Sequence, residues 1–85
     1  MTAQFVRVKS RYSLLGPRIL IQIPKRVGVA PRRNRAKRII REWFRQNLDA
    51  LPSRDFLIFV KKKLDISRQE MGKKIREELD KLLLD

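Results

Sequence analysis

One stretch of the sequence, APRRNRAKRIIREWFRQ from Ala30 to Gln46, restricts the possible folds more than any other. At about 100° per residue, a helix places its apolar side chains on one continuous side: Ala36, Ile39, Ile40, Trp43 and Phe44. Seven Lys or Arg residues and a single acid occupy the 14 positions from Arg32 to Arg45. The stretch therefore predicts an amphipathic helix with one face in the core and one cationic face.

The positive charge of this helix is costly unless a partner offsets it. Like charges such as Lys37 and Arg41, four residues apart, cost an isolated helix roughly 0.2–0.5 kcal/mol per pair. Residues 1–46 hold 13 Lys or Arg against one acid, a net charge of +12, whereas residues 47–85 hold nine against eight, a net charge of +1. Solubility does not need this asymmetry, but a surface that binds a polyanion does. Nucleic acid is therefore the leading partner class.

Length and composition exclude several other kinds of protein. The 85 residues allow one domain with a modest core, which we assign to residues 1–85. The chain has no His and no Cys, so we expect no catalytic residues, no bound metal and no protein-held cofactor. No apolar run approaches ~18 residues and no secretory signal precedes the first strand, so we expect a cytoplasmic protein that does not bind membranes.

Alternation and turn residues predict the first half of the fold. QFVRVK alternates with the period of a strand, RILIQI is a β-branched run, and SLLGP between them favours a hairpin. A short strand over Val27–Ala30 would follow. Asn34 is the expected N-cap of the basic helix, which would run to about Asn47.

The second half predicts one strand and one helix. The apolar run FLIFV, Phe56–Val60, is typical of a strand buried on both faces or in mid-sheet. Ser67 followed three residues later by Glu70 is a capping-box signature, and the helix it begins carries an apolar stripe of Met71, Ile75, Leu79 and Leu82/Leu83. The expected order is β-β-(β)-α-β-α.

Aromatic residues offer a second route to nucleic-acid binding, because bases stack on them. Trp43 and Phe44 lie in the apolar stripe, which favours the core for both. Phe5 is expected on the same polar strand face as Arg7 and Lys9, because these three positions alternate with Val6 and Val8. Core packing and base stacking therefore remain equally open for Phe5.

PKRVGVAPRRNRAKRIIREWFR, Pro24–Arg45, resembles the signature of the protein component of bacterial ribonuclease P. The family pattern has a Lys/Arg pair, then Gly and Ala, then Arg-Asn-Arg, Lys-Arg and Arg-Glu. This sequence matches it at Lys25, Arg26, Gly28, Ala30, Arg33, Asn34, Arg35, Lys37, Arg38, Arg41 and Glu42.

The resemblance implies an α+β fold: a two-layer α/β sandwich with a small sheet, the basic helix in a left-handed β-α-β crossover, and a C-terminal helix. It also implies a non-catalytic subunit, because in that family a large RNA with Mg²⁺ removes the 5′ leader from precursor tRNA. The partners would be that catalytic RNA and precursor tRNA, with no DNA partner. The expected RNA-binding residues are Lys25, Arg26, Arg32, Arg33, Asn34, Arg35, Lys37, Arg38, Arg41 and Arg45.

The resemblance to the family covers the surface that binds the 5′ leader less completely than the surface that docks on the large RNA. The expected leader-binding residues are Phe5, Arg7 and Lys9, on a sheet cleft. Family members usually begin with a further helix that forms one wall of this cleft, whereas this sequence starts almost directly at the first strand. Val8 stands where a family tyrosine would align.

The alternative functions are a ribosomal or other structural RNA-binding protein and, less favoured, a cationic membrane-surface helix.

Overall fold

The computed structural model describes residues 3–84, which form one three-stranded sheet and two helices. The elements are β1 (Val6–Tyr12), β2 (Arg18–Gln22), α1 (Ala30–Gln46), β3 (Arg54–Val60) and α2 (Arg68–Leu79), which continues as a π-helical turn over Asp80–Leu84. The predicted α+β fold class, with a basic central helix and a C-terminal helix, is confirmed.

The sheet has the order β1-β3-β2, so the apolar strand lies in mid-sheet as predicted. β3 pairs antiparallel with β1, from Val6 opposite Val60 to Tyr12 opposite Arg54. It pairs parallel with β2. Because β2 and β3 are parallel, the intervening chain must return to the same end of the sheet, and α1 forms that β-α-β crossover.

The predicted hairpin between β1 and β2 is wrong, since each strand pairs with β3 instead. The chain does turn in the predicted stretch SLLGP, residues 13–17, but the turn connects the two outer strands across the end of β3. Gly16 makes this crossing close: a Cβ there would lie 2.9 Å from the backbone N and O of Arg54. A side chain at this position would clash, which explains the glycine.

Helix α1 begins at Ala30, four residues before the predicted N-cap Asn34. Its first hydrogen bond runs from the Arg33 N–H to the Val29 carbonyl, 3.0 Å. Pro31 fits in the first turn because the amide hydrogens there have no intrahelical acceptor. The strand expected over Val27–Ala30 is also absent from the described chain, where a 3₁₀ turn at Lys25–Val27 leads into α1.

One face of the sheet and both helices enclose the core. Phe56, Ile58 and Val60 of β3 are buried. Met71, Ile75 and Leu79 of α2 are buried with them. The whole predicted apolar stripe of α1 is buried as well: Ala36, Ile39, Ile40, Trp43 and Phe44. Leu83 packs partly against this core and Leu82 is exposed. The predicted Ser67 N-cap is confirmed, because its Oγ accepts a hydrogen bond from the Glu70 N–H at 3.1 Å.

The opposite face of the sheet, called here the open face, is not covered by any element within residues 3–84. Nine side chains form it in three rows across the strands: Arg7, Phe59 and Gln22; Lys9, Leu57 and Leu20; Arg11, Asp55 and Arg18. Leu20 is 61% exposed. The fold thus presents two accessible surfaces, the polar side of α1 and the open face.

Candidate nucleic-acid interface

The polar side of α1, called here the basic face, is formed by Asn34, Lys37, Arg38, Arg41, Glu42 and Arg45. The core requires the other side of the helix, so the buried stripe fixes the direction in which these side chains project. Glu42 forms an ion pair with Arg45 at 3.4 Å. Within the described chain, Lys37, Arg38 and Arg41 have no carboxylate partner, which leaves their charge available to an anion.

The arginines at the start of α1 have structural contacts in addition to their predicted role. Arg32 donates from Nη1 to the carbonyls of Leu64 at 2.7 Å and Ile66 at 2.6 Å. Arg33 donates from Nε to the carbonyl of Gly28 at 3.0 Å. These contacts join the first turn of α1 to the β3–α2 connection and to its own preceding turn.

The other predicted RNA-binding residues lie outside the basic face. Lys25 and Arg26 are exposed on the 3₁₀ turn, which buries Val27 as its anchor. Arg35 is half-buried and projects toward α2, beside Arg68 and Arg76. The fold therefore brings together Asn34, Lys37, Arg38, Arg41 and Arg45, and places Arg35 in a separate groove.

The open face combines cations with apolar side chains. The Arg7 guanidinium lies 5.5 Å from the centre of the Phe59 ring, a cation–π contact. Next to it, Lys9, Leu20 and Leu57 line a shallow depression that ends at Arg11 and Arg18. An exposed apolar surface flanked by cations suits a single-stranded nucleic acid, whose bases stack while its phosphates are neutralised.

Asp55 is the single acid on this face and holds two arginines. Its carboxylate accepts from Arg18 Nε at 2.9 Å and Arg18 Nη2 at 3.1 Å, and it lies 3.3 Å from Arg11 Nε. The hydrogen bond from Arg18 lowers the pKa of Asp55 below its ordinary value. The same bond raises the pKa of Arg18. Both guanidinium groups are thereby fixed at one end of the open face.

The expectation that Phe5 shares the exposed face with Arg7 and Lys9 is wrong. Phe5 is 2% exposed and belongs to the core. It precedes β1 in a bend, so the strand alternation does not extend to it. Arg7 and Lys9 are exposed as predicted.

Phe59 occupies the aromatic position on the open face that was expected for Phe5, and sequence reasoning missed it. The run FLIFV looks uniformly apolar, which hides the alternation of Phe56, Ile58 and Val60 with Leu57 and Phe59. The charged neighbour Asp55 shares the parity of Phe59, and this was the one signal that could have identified the open side of the strand.

Two kinds of feature are absent from residues 3–84. No three His, Cys, Asp or Glu side chains cluster in a way that would hold a metal ion. Neither helix is long and apolar enough to cross a membrane.

Comparisons with known proteins identify the family. A family model described as Ribonuclease P matches residues 2–84. Ribonuclease P protein components from Vibrio campbellii and Aliivibrio fischeri are 38% and 40% identical over 71 and 72 residues, 81% and 84% of this chain. The matched segments are 60% and 56% of those relatives, so this chain corresponds to little more than half of their length.

Solved structures agree with the sequence comparison. The RNase P protein from Thermotoga maritima superposes with a TM-score of 0.80 at 31% identity, covering 98% of this chain and 80% of that one. The RNase P protein from Staphylococcus aureus gives 0.75 at 19% identity, with 96% and 78% covered, and this second likeness concerns the fold alone.

Proposed function

This chain belongs to the ribonuclease P protein family, and we propose on that basis that it is the RNA-binding protein subunit of ribonuclease P. In this proposal the subunit supports endonucleolytic removal of the 5′ leader from precursor tRNA. The observation that carries the proposal is the basic face of α1, where Lys37, Arg38 and Arg41 are free of carboxylate partners within the described chain. The large RNA with its Mg²⁺ ions is the catalyst, and the protein contributes no catalytic residue.

The basic face would bind the backbone of the catalytic RNA. Guanidinium groups of Arg38, Arg41 and Arg45 donate paired hydrogen bonds that match phosphate oxygens, and Lys37 adds a point charge. Bound phosphates would offset the repulsion among these cations. Asn34 supplies both a donor and an acceptor in the same row.

Residues near the start of α1 would enlarge this surface. Lys25 and Arg26 are exposed on the 3₁₀ turn that leads into α1. Arg32 and Arg33 each use part of the guanidinium to hold the first turn. Since a guanidinium carries five N–H donors, further N–H groups on both remain for RNA.

The open face would bind the 5′ leader as a single strand. Arg7 and Lys9 would contact leader phosphates, and Phe59 would provide a stacking surface for a base. Stacking on one aromatic side chain contributes roughly 1–3 kcal/mol per base without demanding a particular sequence. This fits a substrate segment whose sequence differs from one precursor to the next.

Reconstitution tests the proposal. The protein is mixed with a bacterial ribonuclease P RNA at a Mg²⁺ concentration where that RNA alone cleaves precursor tRNA slowly. We expect the mixture to release the leader much faster than the RNA alone, and the protein alone to leave the precursor intact. Binding to the RNA without faster cleavage would favour the alternative of a structural RNA-binding protein.

A charge-removal variant tests the basic face. Arg38→Ala combined with Arg41→Ala should weaken binding to the catalytic RNA, each lost contact being worth about 1.5–3 kcal/mol. The slope of log affinity against log salt should become shallower by roughly 0.7–0.9 per lost phosphate contact. Circular dichroism and the urea midpoint should stay unchanged, because both side chains are exposed. A parallel loss of stability would mean that these arginines are structural.

A further inference from the structure

A groove between α1 and α2 gathers three arginines from the two helices. Arg35 and Ile39 line it from α1, and Arg68, Gln69, Gly72 and Arg76 line it from α2. Arg35 lies about 100° around α1 from Asn34, so the groove borders the basic face without belonging to it. No acidic side chain is among these lining residues.

The fold does not neutralise these three arginines within residues 3–84. The ion pairs of the described chain involve Arg11, Arg18 and Arg45. Two acids of the same part of the fold have other partners: Glu42 pairs with Arg45, and Asp80 accepts a hydrogen bond from Trp43 Nε1 at 2.8 Å. Three like charges in one groove repel one another, and an anion bound among them would relieve that repulsion.

Gly72 leaves space for the guanidinium of Arg76. A Cβ at position 72 would lie 3.0 Å from Nη1 and 3.3 Å from Nη2 of Arg76. Glycine inside a helix lowers stability relative to alanine. The absence of a side chain at Gly72 leaves room for the Arg76 guanidinium to lie beside the α2 backbone at the groove.

We infer that the α1–α2 groove is a second RNA-binding surface, which binds the phosphodiester backbone of the catalytic RNA beside the strand held by the basic face. The inference rests on the proposed function. Guanidinium groups match phosphate oxygens bidentately. Continuity with the basic face favours RNA over an acidic protein, because Arg35 is followed on α1, three residues further along, by Arg38 of that face. One RNA surface can therefore contact both helices.

Binding of a bacterial ribonuclease P RNA by charge-removal variants tests this surface. Arg68→Ala with Arg76→Ala should weaken binding tenfold or more and make the salt dependence shallower by roughly 1.4–1.8, as expected for two lost phosphate contacts. The matched control is Lys74→Ala with Lys81→Ala, which removes the same charge from exposed positions outside the groove. Equal effects of the two double variants would overturn the inference.

A proximity experiment provides an independent measurement. Because the chain has no cysteine, Gln69→Cys gives a single attachment point for an iron–EDTA reagent beside the groove, and Lys74→Cys gives one on the opposite side of α2. Hydroxyl radicals from position 69 should cut a defined strand of the bound RNA, and radicals from position 74 should not. Absence of cutting from position 69 would overturn the inference.

The two proposals fail in distinguishable ways. If the wild-type protein does not stimulate precursor cleavage, the proposed function fails. If it stimulates cleavage and depends on Arg38 and Arg41, while the Arg68/Arg76 variant behaves like its lysine control, only the groove inference fails.

Discussion

Phe5 and Phe59 show how the position of a residue relative to a strand boundary decides its role. Phe5 lies just before β1 and is buried, with the Lys62 ammonium 5.0 Å from its ring centre. Phe59 lies inside β3 and faces the open side under Arg7. The two rings therefore contribute to different properties of the molecule, the first to stability and the second to the proposed leader surface.

Alanine substitutions at these two positions should separate the two properties. Phe5→Ala should lower the free energy of unfolding by roughly 3–5 kcal/mol, because it leaves a cavity in the core. Phe59→Ala should cost less stability and should reduce the preference of the reconstituted enzyme for precursor over mature tRNA. Urea denaturation and tRNA titration measure the two effects. A stable Phe5→Ala protein with impaired leader binding would contradict the burial of Phe5.

Asp55 makes stability depend on pH at the open face. Its pKa is lowered in the folded state by Arg18, so its contribution to stability is present above the ordinary carboxyl pKa and is lost as the pH falls through the folded value. The urea midpoint of the wild type should exceed that of Asp55→Asn at about pH 7, and the difference should shrink as the pH falls below the ordinary carboxyl pKa. A difference independent of pH would show that the carboxylate charge is not responsible.

At the scale of elements, the contact between α1 and α2 sets the position of the basic face. Trp43 of α1 is buried and its indole Nε1 donates to the Asp80 carboxylate at 2.8 Å, directly after the last residue of α2. Asn47 adds a hydrogen bond from its side chain to the Trp43 carbonyl, 2.8 Å, at the end of α1. The Trp43–Asp80 hydrogen bond fixes the end of α1 against the end of α2, and the Asn47 hydrogen bond closes the last turn of α1.

Removing the indole donor should loosen this junction. Trp43→Phe should lower the free energy of unfolding by roughly 1–3 kcal/mol, because it removes a hydrogen bond to a charged group and some buried volume. Asp80→Asn is the matched control, since an amide oxygen still accepts the bond, and it should cost less. Thermal unfolding followed by circular dichroism compares the two. Equal costs would mean that the charge of Asp80, rather than the donor on Trp43, matters at this contact.

Helices and strands with a regular spacing of apolar residues could be predicted from the sequence, but the order in which the strands pair could not. The stripe from Ala36 to Phe44 determines both the buried and the basic side of α1, so most of the candidate interface followed from it. The start of α1 was missed because Asn34 resembles a cap, whereas Pro31 is equally suited to a first turn. The partners of β1 and β2 depend on contacts with β3 more than 30 residues away, which no local pattern specifies.

At the scale of the whole molecule, Glu78 joins the two ends of the described chain. Its carboxylate accepts from the Phe5 N–H at 2.8 and 3.1 Å and from the Val6 N–H at 3.0 Å, across more than 70 residues of sequence. These backbone groups lie at the start of an edge strand, and Phe5 is buried. Glu78 thus satisfies donors that the sheet leaves without a partner.

Glu78→Ala should destabilise the protein by roughly 1.5–3 kcal/mol, because two backbone donors lose a charged acceptor. Its neighbour Glu77 is exposed and has no such contact, so Glu77→Ala should change the free energy of unfolding by less than about 0.5 kcal/mol. Urea denaturation of the two variants measures the difference. Equal stability of the two variants would show that water replaces the carboxylate at no cost.

The central position of β3 has a consequence for the order of folding. Within residues 3–84, β1 and β2 pair only with β3. Neither strand can therefore enter the sheet until β3 joins it, and both pairings must first close a long loop of chain. Chains dominated by such distant pairings fold slowly for their size. Substitutions that weaken β3 should accordingly slow refolding, whereas equal destabilisation at the outer end of α2 should mainly accelerate unfolding. Until β3 joins the sheet, residues 1–46, with a net charge of +12, have no completed sheet to pack against. We therefore expect polyanions to bind the chain most readily, and with least selectivity, before that step.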